Sequence, residues 1–86
     1  MTGKTKSGFE YDIPEEAADD YELLEELMKI DDGDFTGVTK AVHRLLGEEQ
    51  TKKLKEHLRG DNGRVSAVAM MNEISDMLLE SPVLKN

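Results

Sequence analysis

A chain this short that contains no cysteine has to be held together by packing alone. Neither a disulfide framework nor a thiolate metal site is open to it. Its 86 residues lie near the low end of what can bury an independent core. The expectation is therefore a single domain over residues 1–86, built from amphipathic elements and open to support from a partner or a second copy. A formal charge of −8 narrows the partners. Nucleic acid is disfavoured because phosphates need clustered cations, and an anionic membrane surface is disfavoured for the same reason. No apolar run approaches the roughly 20 residues of a transmembrane helix. The first six residues are basic but lack the apolar stretch of a signal peptide, so a cytoplasmic location is expected.

Apolar periodicity predicts a mainly α fold, a four-helix domain with an N-terminal β-hairpin packed on it. The hairpin is placed at residues 4–13: Ser7-Gly8 is a turn pair, and Phe9, Tyr11 and Ile13 then alternate with Glu10 and Asp12. Pro14 ends it and opens a helical body over residues 15–80. The first helix is expected from Glu15 to Ile30, with Tyr21, Leu24, Leu27 and Met28 as its stripe and the Asp31-Asp32-Gly33-Asp34 run as its stop. A second helix spans Thr36 to Leu46, Gly47 caps it, and a third runs from Glu48 to about Arg59 with Leu54 and Leu58 as its only strong apolar pair. Gly60-Asp61-Asn62-Gly63 is a turn, Ser66 an N-cap, and Ala67 to Glu80 the fourth helix. Residues 81–86 read as a flexible tail. The expected core is Phe9, Tyr11, Ile13, Tyr21, Leu24, Leu27, Val38, Val42, Leu45, Leu54, Leu58, Val65, Met71, Ile74 and Leu78.

Charge is divided along the chain. Glu10 to Asp34 holds twelve acids and one base, Lys29, whereas Lys40 to Arg64 holds seven bases and four acids. Such a split fits halves that neutralise one another within one molecule, a head-to-tail assembly of copies, or simply a solvated acidic face.

No pattern for catalysis or metal binding survives inspection. Asp32, Asp34, Thr36 and Gly37 match the start of an EF-hand loop, but its eighth and twelfth positions are Thr39 and His43 instead of an apolar residue and a bidentate glutamate. Aligning Gly63 to the loop glycine puts Leu58 and Ala69 where carboxylates belong. His43 and His57 have no ligand partner at helical spacing, and the serines sit in turn, cap or exposed contexts. Arg59-Gly60-Asp61 matches an adhesion tripeptide but reads as a helix-ending turn. The chain is expected not to be an enzyme and to use no cofactor.

Apolar surplus is the positive clue. Val68, Met70, Met71, Ile74, Met77, Leu78 and Leu79 cover more than one face of the last helix. Methionine adapts to irregular partners, so Met-rich helices recur where other helices bind. The candidate partner-binding residues are Leu23, Met28, Met70 and Met77, with Met70 and Met77 placed outward in preference to Met71.

The segments Lys6 to Ile13, Asp19 to Glu25, Asp31 to Asp34, Leu45 to Gln50, Leu54 to Arg59 and Gly63 to Val65 resemble, in order and spacing, small proteins of tailed bacteriophages and prophages of Gram-positive hosts. The resemblance is to tail assembly chaperones. It implies a non-catalytic assembly factor that binds the tape-measure protein, assists assembly of the tail-tube protein around it, and is absent from the mature virion. The alternatives are a structural head–tail connector or completion protein, or an acidic regulator that mimics nucleic acid.

Overall fold

In the computed structural model, which describes residues 1–79, the alternation of Phe9, Tyr11 and Ile13 with acids becomes a strand with its apolar side buried. Strand β1 (Thr2–Lys4) pairs antiparallel with β2 (Glu10–Asp12), in the register Thr2↔Asp12, Gly3↔Tyr11 and Lys4↔Glu10. The hairpin thus starts earlier than the expected Lys4. Its ladder runs back through Met1, whose ammonium donates to the Ile13 carbonyl at 2.6 Å while Ile13 N donates to the Met1 carbonyl at 2.7 Å. The Ser7-Gly8 turn stands where expected, with Gly8 at φ +95°, a conformation suited to glycine. The outer edge of β2 is closed by a side chain. Asp12 N donates to Gln50 Oε1 at 2.7 Å, and Gln50 Nε2 donates back to the Asp12 carbonyl at 2.6 Å, as a neighbouring strand would.

The expected first helix is broken in two. Helix α1 (Glu15–Ala18) is a single turn, and α2 (Tyr21–Asp31) restarts after Asp19-Asp20. Asp20 causes the restart: it adopts an extended backbone and its carboxylate accepts from Leu23 N at 3.1 Å, the geometry of an N-cap. Arg44 then fixes that carboxylate, donating through Nε at 2.9 Å and Nη2 at 3.2 Å, and reaches Glu22 as well. This pairing joins the acidic and basic halves within one molecule. The restart also changes which side of the helix faces inward. Leu23 and Glu26 are buried, with Leu27 and Ile30 partly so, while Tyr21, expected in the core, is 75% exposed.

The Arg44 guanidinium, followed by the Leu23 N–H, holds the Asp20 carboxyl below the ordinary aspartate range. A carboxyl depressed in the folded state contributes stability that is complete above its unfolded pKa and is lost as pH falls through the folded value. Asp20→Asn is therefore expected to lower the melting temperature at neutral pH and to flatten the acid limb of the stability curve. Melts recorded from neutral to strongly acidic pH check this. Wild type and variant should converge at the acid end, and a constant gap at every pH would refute the linkage.

A 3₁₀ turn, Phe35–Gly37, leads into α3 (Val38–Leu58), which is kinked at Gly47 (φ 78°, ψ 171°). That backbone region is essentially restricted to glycine, so the two helices expected on either side of Gly47 are the two arms of α3. Ala41, Val42, Leu45 and Leu46 are buried in the first arm, Thr51 and Leu54 in the second. Thr51 is accommodated because its hydroxyl donates to the Gly47 carbonyl at 2.7 Å. The 60–63 turn is closed by Gly60 N and the Arg64 carbonyl at 2.9 Å and by a bridge between Arg59 and Val65. Ser66 caps α4 (Ala67–Leu79) as expected, its Oγ accepting from Ala69 N at 3.1 Å. The expected helix end at Glu80 and the tail at 81–86 lie outside the described residues.

The buried apolar cluster comprises Phe9, Tyr11, Ile13, Ala17, Leu23, Ala41, Val42, Leu45, Leu46, Leu54, Ile74 and Met77. Of the expected core, Leu24, Leu27, Val38, Leu58, Val65, Met71 and Leu78 are only half-buried. Thr5, Glu26 and Glu73 are buried although polar. Among the described residues, no helix is long and apolar enough to cross a membrane.

Candidate protein-binding surface

Two of the four expected contact residues are not at the surface. Leu23 is 3% exposed and Met77 fully buried, both in the apolar cluster, so their assignment to a partner surface is corrected. For Leu23 the reason is the restart of α2 at Asp20. For Met77 the reason is the register of α4, whose inward side is set by Glu73, Ile74 and Met77. A glutamate on that side conceals the helix phase from a hydrophobicity reading. Glu73 is tolerated there because Thr5 Oγ1 and Ser7 Oγ donate to its Oε1 at 2.9 and 2.7 Å. Met28 is 60% exposed on α2, and Met70 is half-buried at the start of α4.

Turning α4 this way puts Met71 on its flank instead of in the core. Met71 lines two apolar grooves together with Val38. One, of about 350 Å³, lies between the 3₁₀ turn, α3 and the start of α4, with Phe35, Val65, Ala67 and Met70 in its walls and Lys55 at its rim. The other, of about 260 Å³, is formed by Leu27, Ile30, Ile74 and Leu78, with Asp31, Asn72 and Ser75 also lining it. Val38 and Met71 belong to both, so the two grooves adjoin across these side chains and together form the apolar trough of this surface. Phe35 is 51% exposed there, a large aromatic left open to water. Met28 is not among the residues lining either groove. Sequence reading missed Phe35, Val38 and Met71 as surface residues. The signal available was that Phe35 follows a run of acids and glycine that no helix stripe includes.

A polar cluster joins the hairpin to α3 and α4 on another side. Ser7 Oγ lies 3.0 Å from His57 Nε2 and donates to Glu73 Oε1, and the His57 ring packs on Phe9 with centroids 5.5 Å apart. With its one hydrogen committed to Glu73, Ser7 accepts from a His57 Nε2–H. The imidazole is thus a donor to the serine, and the carboxylate rests on the serine instead of behind the imidazole. These bonds fasten the turn: Lys6 N donates in addition to Asp76 Oδ2 at 3.1 Å.

The two EF-like turns use their polar side chains internally. Asp34 Oδ1 accepts from Thr36 N at 3.1 Å and from Thr36 Oγ1 at 2.7 Å, and Asn62 Oδ1 accepts from Arg64 N at 2.9 Å. Among the described residues, no three His, Cys, Asp or Glu side chains gather as a metal site. No family model, curated protein or solved structure matches the chain, so the chemistry of the trough itself is the guide to what it binds.

Proposed function

We propose that this protein is a non-catalytic binder of helical protein segments and, following its resemblance, a tail assembly chaperone. In that role it holds the tape-measure protein in the host cytoplasm while the tail-tube protein assembles, and then leaves the particle. The observation that carries this reading is the trough itself, where Met71 and Val38 join two apolar grooves and Phe35 and Met70 stay partly open. An amphipathic helix presents apolar residues at i, i+3, i+4 and i+7, and a groove between helices is the shape that receives them. Methionines at the contact suit a partner with an irregular repeat, because an unbranched thioether side chain repacks at little cost. Acid mimicry of nucleic acid has less support, since Asp20 and Glu22 are engaged by Arg44.

Co-expression with the tape-measure protein and mass spectrometry of purified virions test the proposal together. The expected result is tape-measure protein kept in the soluble fraction and this chain missing from the particle. Finding it in stoichiometric amounts in the virion would favour the connector reading instead.

A further inference from the structure

The turn between α3 and α4 carries a chemistry that its role as a connector does not use. Asn62 stands directly before Gly63, and every residue from Arg59 to Arg64 is exposed. A backbone nitrogen can attack the side-chain amide of the asparagine before it, because the ring that forms has five atoms. Two features of this turn favour that attack. Gly63 has no Cβ to shield its nitrogen, and the space a Cβ would fill is open, with nothing within 4 Å. Asn62 Oδ1 accepts from Arg64 N at 2.9 Å, which curls the side chain back across the Gly63 nitrogen and draws electrons from the carbonyl carbon to be attacked. The opposing contact is a single bond, Gly63 N donating to the Gly60 carbonyl at 2.9 Å. It lies at the exposed tip of a turn, where local opening costs little. Asn72, the other asparagine among the described residues, is exposed as well. There the helical backbone of α4 holds the following nitrogen in its ladder, and that nitrogen belongs to Glu73, which has a Cβ.

We propose that Asn62-Gly63 is a site of spontaneous self-modification, which converts Asn62 to aspartate and isoaspartate and opens the α3–α4 turn as the protein ages. The Gly63 nitrogen gives its proton to solvent base and bonds to Asn62 Cγ, and the side-chain nitrogen leaves as ammonia. Water then opens the succinimide. Attack at Cγ breaks its bond to the Gly63 nitrogen and leaves aspartate; attack at the backbone carbonyl leaves isoaspartate. One water is consumed, one ammonia is released, and nothing is oxidised or reduced. The two products differ in effect. Aspartate still accepts from Arg64 N and keeps the turn. Isoaspartate routes the backbone through Cβ and adds an atom to a loop closed by Gly60 N on the Arg64 carbonyl at 2.9 Å and by the Arg59–Val65 bridge. That closure fails, and Val65, in the wall of the trough, is released from Arg59. The modification itself does not depend on what the trough binds.

Peptide mass spectrometry of the full chain tests this, comparing fresh protein with protein incubated in warm, mildly alkaline buffer. Cleavage after lysine and arginine isolates Gly60–Arg64, in which Asn62 is the only amide side chain, and Val65–Lys85, in which Asn72 is the only one. Gly60–Arg64 is expected to gain the amide-to-acid mass increment and to resolve into two products on chromatography, while Val65–Lys85 stays unchanged over the same period. Asn62→Gln, whose longer side chain cannot close the five-membered ring, is expected to remain intact. The contact between Arg59 and Val65, read by NMR, is expected to persist in Asn62→Asp and to be lost in the isoaspartate fraction. An increment at Asn62 no faster than at Asn72, or equally fast in Asn62→Gln, overturns the site. An Arg59–Val65 contact that survives in the isoaspartate fraction overturns the opening of the turn.

Discussion

Met77→Lys is expected to unfold the protein, whereas Met71→Lys, six residues earlier on the same helix, is expected to leave it folded and to abolish helix binding. Met77 is fully buried, in the same apolar cluster as Leu54 and Ile74. Truncating such a side chain to alanine costs about 2–5 kcal/mol through lost transfer energy and the cavity left behind. A lysine there buries an ammonium in an apolar cluster, and Glu73, one turn earlier on the same side, already accepts from Thr5 and Ser7, so the penalty exceeds that of truncation. Against a total stability on the order of 5–15 kcal/mol, that loss is enough to unfold a small protein. Met71 is half-buried on the flank of α4 and lies outside the cluster, so a lysine there keeps its charge in water and places it across the trough. Urea denaturation and circular dichroism of both variants check the contrast. A Met77→Lys protein with the wild-type midpoint would show that the inward side of α4 has been misassigned.

Gly37→Ala is expected to cost about 1–3 kcal/mol, the range for forcing an extra group into a packed site. The backbone there is not the reason, since φ −93° suits any residue. The obstacle is Glu26, whose Oε2 occupies the space a Cβ would need. That oxygen is buried without a hydrogen-bond partner among the described residues, while Oε1 lies 3.7 Å from Lys29 Nζ. Its placement has an electrostatic basis. Gly37 provides no side-chain cap for α3, so the carboxylate stands against the uncapped N-terminus of that helix, where the macrodipole favours negative charge. An alanine at 37 pushes the carboxylate out of that position. If the two residues meet in this way, Gly37→Ala costs much less in a Glu26→Ala background than in wild type. A double-mutant cycle on unfolding free energies measures the coupling, and additive costs would refute the contact.

These two sites also mark where sequence reading succeeds and fails. The hairpin turn at Ser7-Gly8, the break at Gly47, the turn at 60–63 and the Ser66 cap were legible because each depends on a residue with a local backbone preference. The burial of Phe9, Tyr11, Ile13, Val42, Leu45, Leu54 and Ile74 was legible from periodicity. What was hidden depended on long-range partners. The break between α1 and α2 is made by an aspartate that any acidic helix start could contain, and Arg44, twenty-four residues away, secures it. The inward side of α4 includes Glu73, acceptable only because Thr5 and Ser7 reach it from the hairpin. Hydrophobicity alone turned that helix the other way, exchanging Met77 for Met71. The same error hid the contribution of Met71 to the trough, since Met71 leaves the core only once Glu73 is inside.

The central claim is that this trough receives a helical protein segment. Its most direct test is a titration of the isotope-labelled protein with a synthetic amphipathic helix taken from the tape-measure protein, followed residue by residue by NMR. Saturable shifts centred on Phe35, Val38, Met70 and Met71, lost in the Met71→Lys variant, are the predicted result. Shifts confined to the polar side around Ser7, His57 and Asp76, or no saturable shifts at all, would contradict it.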